Sequence, residues 1–409
     1  LPEPIRVQCC IVGGGPAGVM VGHLLARAGV EVLVVEKHGD FLRDFRGDTV
    51  HPSTLQAMAD LGLLDDFLKL PHTEVSALSA EVGGAIVPLA DFRHLPTAAK
   101  FIAFMPQWDF LSFLVERSRR FAGFKLLMDA RATDIVSADG RIVGVLAETP
   151  DGPVEVRARL VIAADGRGSI VREQAGLEVR DLGAPMDVLW MRLSRKPQDP
   201  PDAPLGRISQ GRMFISIPRE GYYQCGYVAA KGGFAAIQAA GIDAFRREVA
   251  SAGPAIADRV DELKSFDDVH LLTVKVDRLK RWWRPGLLCI GDAAHAMSPV
   301  GGVGINLAIQ DAIAAANLLH DVFDKGDTAL DRRVEAVQAR REPAVKLAQA
   351  LQVFVQRRLI SRVLRAETVK PNLAFKAFGW FPVLRRLPAR VIGMGFRMER
   401  MRSPEAGGA

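Results

Sequence analysis

Two short motifs in this chain bring together residue types suited to a long anionic ligand. One is Gly291-Asp292, with Pro299, Gly302, Gly304, Ile305 and Asn306 following it. A carboxylate placed just after a strand can accept hydrogen bonds from sugar-like hydroxyls. A bare helix start nearby offers unpaired N–H groups and a positive dipole end to a group that becomes anionic. The other motif is Gly13-Gly14-Gly15-Pro16-Ala17-Gly18, which fits G-x-G-x-x-G through Gly13, Gly15 and Gly18, with Glu36-Lys37 beginning eighteen residues beyond Gly18. Glycines in this pattern permit a tight turn, close approach of backbone to a pyrophosphate, and close helix–strand packing. The acid can bind ribose hydroxyls.

Specific elements must present these residues. Ile5 to Val12 is an apolar, β-branched run that reads as a buried parallel strand. The helical pattern of Met20, Leu24, Leu25 and Ala28 ends at Gly29, and a second strand, Val30 to Val35, delivers Glu36. Leu287 to Ile290 is another apolar strand, stopping at Gly291-Asp292, and a helix opens near Gly304. Strand, helix, strand and acid in this order predict a dinucleotide. The chain must fold back to join the two motifs into one elongated pocket, with adenosine diphosphate at the first and ribityl plus isoalloxazine at the second. The backbone N–H groups of Gly304, Ile305 and Asn306 would then face the N1 edge of the ring. A nicotinamide dehydrogenase has no need of the second motif, so the expected cofactor is FAD, held without a covalent bond.

With these motifs the chain resembles the class A FAD-dependent aromatic monooxygenases, the p-hydroxybenzoate hydroxylase-like family, over roughly residues 5–345. Ala163-Ala164-Asp165-Gly166-Arg167-Gly168-Ser169-Ile170-Val171-Arg172 is similar to the family's Asp-Gly motif, which serves both FAD and transient NADPH binding. Arg46-Gly47-Asp48 is similar to a family arginine that meets the pyrophosphate and gates the ring, with Arg43 as a competitor. Gln107 is similar to a glutamine that reaches the flavin's sugar chain, and Pro299 to a loop proline whose carbonyl lies beside flavin and substrate. The resemblance implies an α/β fold: a Rossmann-type, glutathione-reductase-like FAD-binding domain, an interleaved antiparallel or mixed sheet for substrate, and a C-terminal helical region. It implies hydroxylation or epoxidation of an aromatic or other hydrophobic molecule through a flavin C4a-hydroperoxide. NADPH or NADH is then a transient electron donor and O₂ a co-substrate, with Arg46 and Pro299 at the chemistry. His295 is read as structural.

A chain of 409 residues with 49% hydrophobic content can bury a large core. Expected domains are 1–73, 103–184 and 270–345 for FAD, 74–102 and 185–269 for substrate, and 346–409 as a basic helical region. In the substrate domain, Val188 to Leu193, Arg212 to Ile217 and Tyr222 to Ala229 read as hairpin strands, and 234–263 as helical. Trp190, Met213, Tyr222 and Gln224 are candidates to line the pocket, together with Phe214, Ile215 and Tyr223. Strand alternation lets only one of Tyr222 and Tyr223 face the ring. No arginine stands out as a carboxylate clamp, so a neutral polycyclic or long hydrophobic substrate is expected. Cys9, Cys10, Cys225 and Cys289 form no disulfide set and no C-x-x-C, so no metal site is expected, and the compartment should be reducing and cytoplasmic.

From Arg340 to Arg402 there are fifteen Lys/Arg against three acids, an excess larger than the whole chain's net charge of +6, so the body is net acidic. Two readings of this region stay open: peripheral contact with an anionic membrane, or helices packed on the body with a solvated basic face. No nucleic-acid recognition motif occurs, and the assembly is expected to be a monomer or homodimer. Alternatives to an oxygenase are a same-fold flavin reductase of unsaturated isoprenoids, a halogenase, or a non-catalytic flavin-binding protein. Halogenases of this fold carry Trp-x-Trp-x-Ile-Pro, and Trp282-Trp283-Arg284-Pro285 does not match it.

Overall fold

The run Ile-Arg-Val-Gln-Cys-Cys-Ile-Val forms β1 (Ile5–Val12), with Cys9, Cys10 and Ile11 fully buried, as expected for a parallel strand covered on both faces. In the computed structural model, residues 3–42, 49–199, 205–209, 211–360 and 373–406 are described. Beyond β1 come α1 (Pro16–Arg27) and β2 (Val32–Val35), then α2 (Pro52–Asp60) and α3 (Gln107–Ser118). The chain continues through β3 (Phe124–Leu127) and β4 (Gly152–Ala163) into β5 (Met186–Ser194), β6 (Arg212–Pro218) and β7 (Tyr222–Ala230). It returns through β8 (Leu287–Cys289) to α4 (Gly304–Leu319), α5 (Asp327–Val355) and α6 (Arg386–Met394).

The main sheet has eight strands, and its parallel part runs β8-β4-β1-β2-β3. An antiparallel ribbon, Arg131–Ala138 and Arg141–Thr149, extends the first half of β4. Helices α1 and α4 cover one face and pack against each other. The segment Val300–Leu319 is, among the described residues, the single helix long and apolar enough to cross a membrane. It lies in this core, with Ile309, Ala312, Ile313 and Leu319 fully buried.

A second sheet of seven strands has the order 270–272, β5, β7, β6, 206–209, 77–82, 85–91. Alternation divides its residues between two faces. Leu189, Met191, Phe214, Tyr223 and Cys225 pack under the helices of 234–262, whereas Val188, Trp190, Met213, Ile215 and Val228 face the other way. Two expected boundaries shift. His270–Leu272 pairs with β5 in this second sheet, because its backbone completes the open edge beyond Val188 to Trp190. Helix α5 passes unbroken through residues 345–346, with Pro343 inside it, since its inner face stays buried as far as Gln352.

Candidate active site

The C-terminal ends of β2, β1, β4 and β8 lie side by side, because the register aligns Val35 with Val12, Val12 with Ala163, and Ala163 with Cys289. Glu36, Gly13, Asp165 and Asp292 follow those residues in the chain. They therefore sit along one sheet edge about 14 Å long, given ~4.8 Å between neighbouring strands. That edge can receive an extended ligand, in the place where open α/β sheets bind.

The glycine loop fits a close-lying pyrophosphate. Gly13 has φ +108°, and a Cβ there would lie 2.4 Å from the Ala164 carbonyl oxygen; at Gly18 it would lie 1.9 Å from the oxygen of Gly13. At Gly15 a Cβ would meet nothing within 4 Å, so the loop is open outward at the start of α1. Pro16 and Ala17 begin that helix, and no side chain caps it. One Glu36 oxygen accepts the Gly14 N–H at 2.7 Å and the other meets the His38 N–H at 3.1 Å and the His38 Nδ1, which fixes the carboxylate beside the loop with one acceptor site left on the Gly14-bound oxygen. Lys37 is exposed next to it.

Asp165 is half-buried, and its Oδ2 accepts the Ile170 N–H at 2.9 Å while the buried Oδ1 has no partner. Burial raises its pKa, partly offset by the Ser169 hydroxyl and backbone N–H groups. Gly166 adopts φ +86° to turn the chain there. Asp292 Oδ2 accepts from Arg167 Nε at 2.9 Å, so the two motifs are joined by an ion pair that sequence reasoning missed.

Between β8 and α4 the backbone turns through Gly301 and Gly302, both with positive φ. A Cβ on Gly302 would lie 2.6 Å from Thr49 Oγ1. The Pro299 carbonyl accepts the Gly302 N–H at 3.0 Å and closes this turn. No side chain caps α4, so Gly304, Ile305 and Asn306 present backbone N–H groups at its positive end. The Asn306 side chain is committed elsewhere: its Oδ1 accepts from His51 N at 3.0 Å and Thr54 Oγ1 at 2.7 Å. His51 in turn bonds the Ile392 carbonyl through Nδ1 at 2.8 Å.

Three buried glutamines on the far side hold the same turn. Gln349 Nε2 donates to the carbonyls of Asp277 and Ala296. Gln352 donates to the carbonyls of Ser298 and Val300 at 3.0 and 2.9 Å and accepts the Ser298 N–H at 3.1 Å. Gln356 donates to the Ser298 hydroxyl from a single π turn that continues α5. His295 is buried against Asp311 at 2.6 Å. Burial alone would raise the Asp311 carboxyl, but His295 and Arg341 more than offset it and hold it below its ordinary value.

Val300, next to Pro299, packs against the second sheet in one apolar cluster with Trp190, Met213 and Ile215. The Trp190 ring lies across Gly226, where a Cβ would meet it at 3.0 Å. Of the two tyrosines, Tyr222 faces this side and Tyr223 packs under the helices. Tyr222 stands at the open end of the wall with Arg192 over its ring at 4.9 Å. Gln224 is buried, its Oε1 accepting from Arg219, itself a buried residue of this wall that sequence reasoning passed over. Gln107 opens α3 a short way after the strand Ile102–Phe104, which pairs with Thr49–Val50. Arg46, with Arg43, Gly47 and Asp48, lies outside the described residues.

A family model described as an FAD binding domain matches residues 6–350. The chain belongs to this family of FAD-dependent aromatic monooxygenases. The flavoprotein is 33% identical to a 6-methylpretetramide 4-monooxygenase of Streptomyces rimosus, over 93% of this chain and 92% of that one. Its fold matches p-nitrophenol 4-monooxygenase PnpA of Pseudomonas putida with a TM-score of 0.76 at 19% identity, covering 96% of this chain and all of that one. It also matches PqsL of Pseudomonas aeruginosa, with a TM-score of 0.71 at 22% identity, covering 88% and 97%. The expected α/β class and the oxidoreductase assignment are therefore correct for this monooxygenase, and FAD is its cofactor.

Proposed function

We propose that this flavoprotein hydroxylates a polycyclic phenolic compound, using electrons from NADPH or NADH and one atom of O₂. The other oxygen atom leaves as water, so substrate, O₂, NAD(P)H and a proton give hydroxylated product, NAD(P)⁺ and water. The observation that carries this reading is that Val300 packs in the same apolar cluster as Trp190, Met213 and Ile215. It sets an apolar, ring-sized wall directly against the loop that starts α4. The name of the 33% identical relative supports a fused-ring phenol as the substrate class.

Bound FAD supplies the oxygen activation and the hydride acceptor. The residues of the chain bind, orient and exclude water. Gly13, Gly15, Pro16, Ala17 and Gly18 would lie under the pyrophosphate, and Glu36 with Lys37 at the adenosine ribose. Asp165, Gly166, Asp292 and Gln107 would meet the middle of the cofactor. Pro299 and Gly302 would shape the floor under the ring, and the N–H groups of Gly304, Ile305 and Asn306 would stabilise negative charge at its pyrimidine edge. Arg46 would receive the nicotinamide donor. An ionised phenol is already nucleophilic, so no side chain is needed as a general base. Trp190, Met213, Tyr222 and Gln224 would hold the substrate.

Incubation with NADPH or NADH, ¹⁸O₂ and a tetracyclic phenol such as 6-methylpretetramide tests this. One ¹⁸O atom should enter the product, and NAD(P)H oxidation should speed up when substrate is added. A yellow, reducible protein that transfers no labelled oxygen to any fused-ring phenol would overturn the reading.

A further inference from the structure

Residues 380–387 place five large apolar side chains on the surface within eight positions. Trp380 is 64% exposed, Phe381 59%, Val383 65%, Leu384 44% and Leu387 69%. An apolar patch of this density on a folded chain marks an interaction site. The patch is not a core that failed to close, because its inner side is already packed. Ala389 and Gly393 of α6 are buried, and a Cβ on Gly393 would lie 2.7 Å from Leu95. The turn before α6 is fixed by Arg385, which donates to the carbonyls of Phe378 and Gly379.

The charge around the patch has one sign. No Asp or Glu occurs from 373 to 398, and Arg386 and Arg390 are exposed beside the apolar side chains. A second copy related by a two-fold axis would bring two patches of the same positive sign face to face, which is unfavourable. A bilayer with anionic headgroups satisfies both features. Its interface accepts Trp, Phe and Leu, and its phosphates attract the arginines. The net acidic body would be repelled and held outward.

We propose that this face, Trp380 to Arg390, docks on an anionic lipid surface. Ala389 and Ile392 share a cluster with Phe104 and Ile217, and Ile217 also belongs to the wall beside Val300. Docking would bring that wall close to the phase in which an apolar substrate dissolves.

The test is co-sedimentation of the FAD-loaded protein with sucrose-loaded vesicles of phosphatidylcholine alone, or with added phosphatidylglycerol. Binding is expected to the anionic vesicles only, and to weaken in high salt. Arg386→Gln and Arg390→Gln should each weaken it roughly fivefold. Trp380→Ser with Leu387→Ser should weaken it by about tenfold or more. Flavin content and melting temperature should stay as in wild type, since none of these side chains is in the core. Equal binding of wild type and variants, or none to anionic vesicles, overturns the proposal. So does a concentration-dependent dimer in sedimentation velocity that Trp380→Ser abolishes, because the face would then join two copies.

Discussion

Asp292 and Arg167 form a half-exposed ion pair at the point where the two nucleotide motifs meet. Asp292→Ala should remove charge-assisted hydrogen bonds worth ~1.5–3 kcal/mol to a bound ligand. Flavin should then be lost on gel filtration, whereas Cys289→Ser, buried in β8, should retain it while melting earlier. Equal retention in both variants would remove Asp292 from the cofactor site. At the other wall, Gly226→Ala would push a methyl into the Trp190 ring 3.0 Å away. The expected result is an altered KM for the aromatic substrate with unchanged flavin content, read from steady-state kinetics and absorbance. Histidines set the response to acid. Burial lowers His51 to about 4, despite its bond to the Ile392 carbonyl, and burial with Arg120 and Arg27 nearby lowers His23 to about 3. Unfolded, both take up protons near 6.5, so the unfolded state binds more protons below that value. Their contribution to stability is complete above 6.5 and is lost as the pH falls towards 4. Urea midpoints at neutral pH and at about pH 5 should show this loss, and His51→Gln should make the slope shallower. A slope equal to wild type would mean that His51 is charged in the fold.

The turn between β8 and α4 depends on a helix remote in sequence. Gln352 alone satisfies two carbonyls and one N–H of residues 298–300. Gln352→Leu leaves them buried and unpaired at ~1–3 kcal/mol each. The variant should melt earlier, and a larger share of its NAD(P)H oxidation should yield peroxide instead of product. An unchanged peroxide share would show that the turn keeps its shape without the glutamine. None of this was legible in the sequence, because glutamines at 349, 352 and 356 have the spacing of any polar helix face. Only the tertiary contact with 296–300 gives them a role. The β1-α1-β2 unit and the start of α4 were legible for the opposite reason. Parallel strands buried on both faces read as unbroken apolar runs, and glycines mark where the chain must turn. Trp190 and Met213 could be assigned to a strand from alternation, but choosing Tyr222 over Tyr223 needed the register of β7 against β5.

Across the whole molecule, a buried charge chain ties the C-terminal segment to the Gly-Asp motif. Arg341 donates to Asp311 at 2.9 Å and to the Arg397 carbonyl at 3.0 Å, while Arg340 pairs with Glu399 at 2.8 Å. Asp311 also accepts the Gly291 N–H at 3.1 Å. Further along, Arg400 pairs with Asp60, and the Ala406 N–H reaches the Arg27 carbonyl. The basic tail is thus partly a strap over α1, α2 and α4, in line with the reading of helices packed on the body. Arg341→Met would leave Asp311 buried with only His295 and the Gly291 N–H beside it, at about 3–5 kcal/mol. Its thermal midpoint should fall well below that of Arg340→Met, whose charge is partly exposed. Equal shifts would mean that the strap, and not the buried charge, sets the cost.

The parallel edge also has a consequence for biosynthesis. Strand β8 pairs with Val161 to Ala163 of β4, yet the whole seven-stranded sheet's β5, β6 and β7 are translated between them. At roughly 5–20 residues per second, the ribosome takes about 6–25 s to travel from Ala163 to Leu287. During that interval the upper part of β4 has an open side, and the nascent chain carries the Gly13 loop without the Asp292 strand or the α4 N-terminus. The dinucleotide site is therefore assembled late, from pieces made far apart in time. Flavin capture should report that translation has passed Asn306, and chains arrested before Gly291 should emerge colourless.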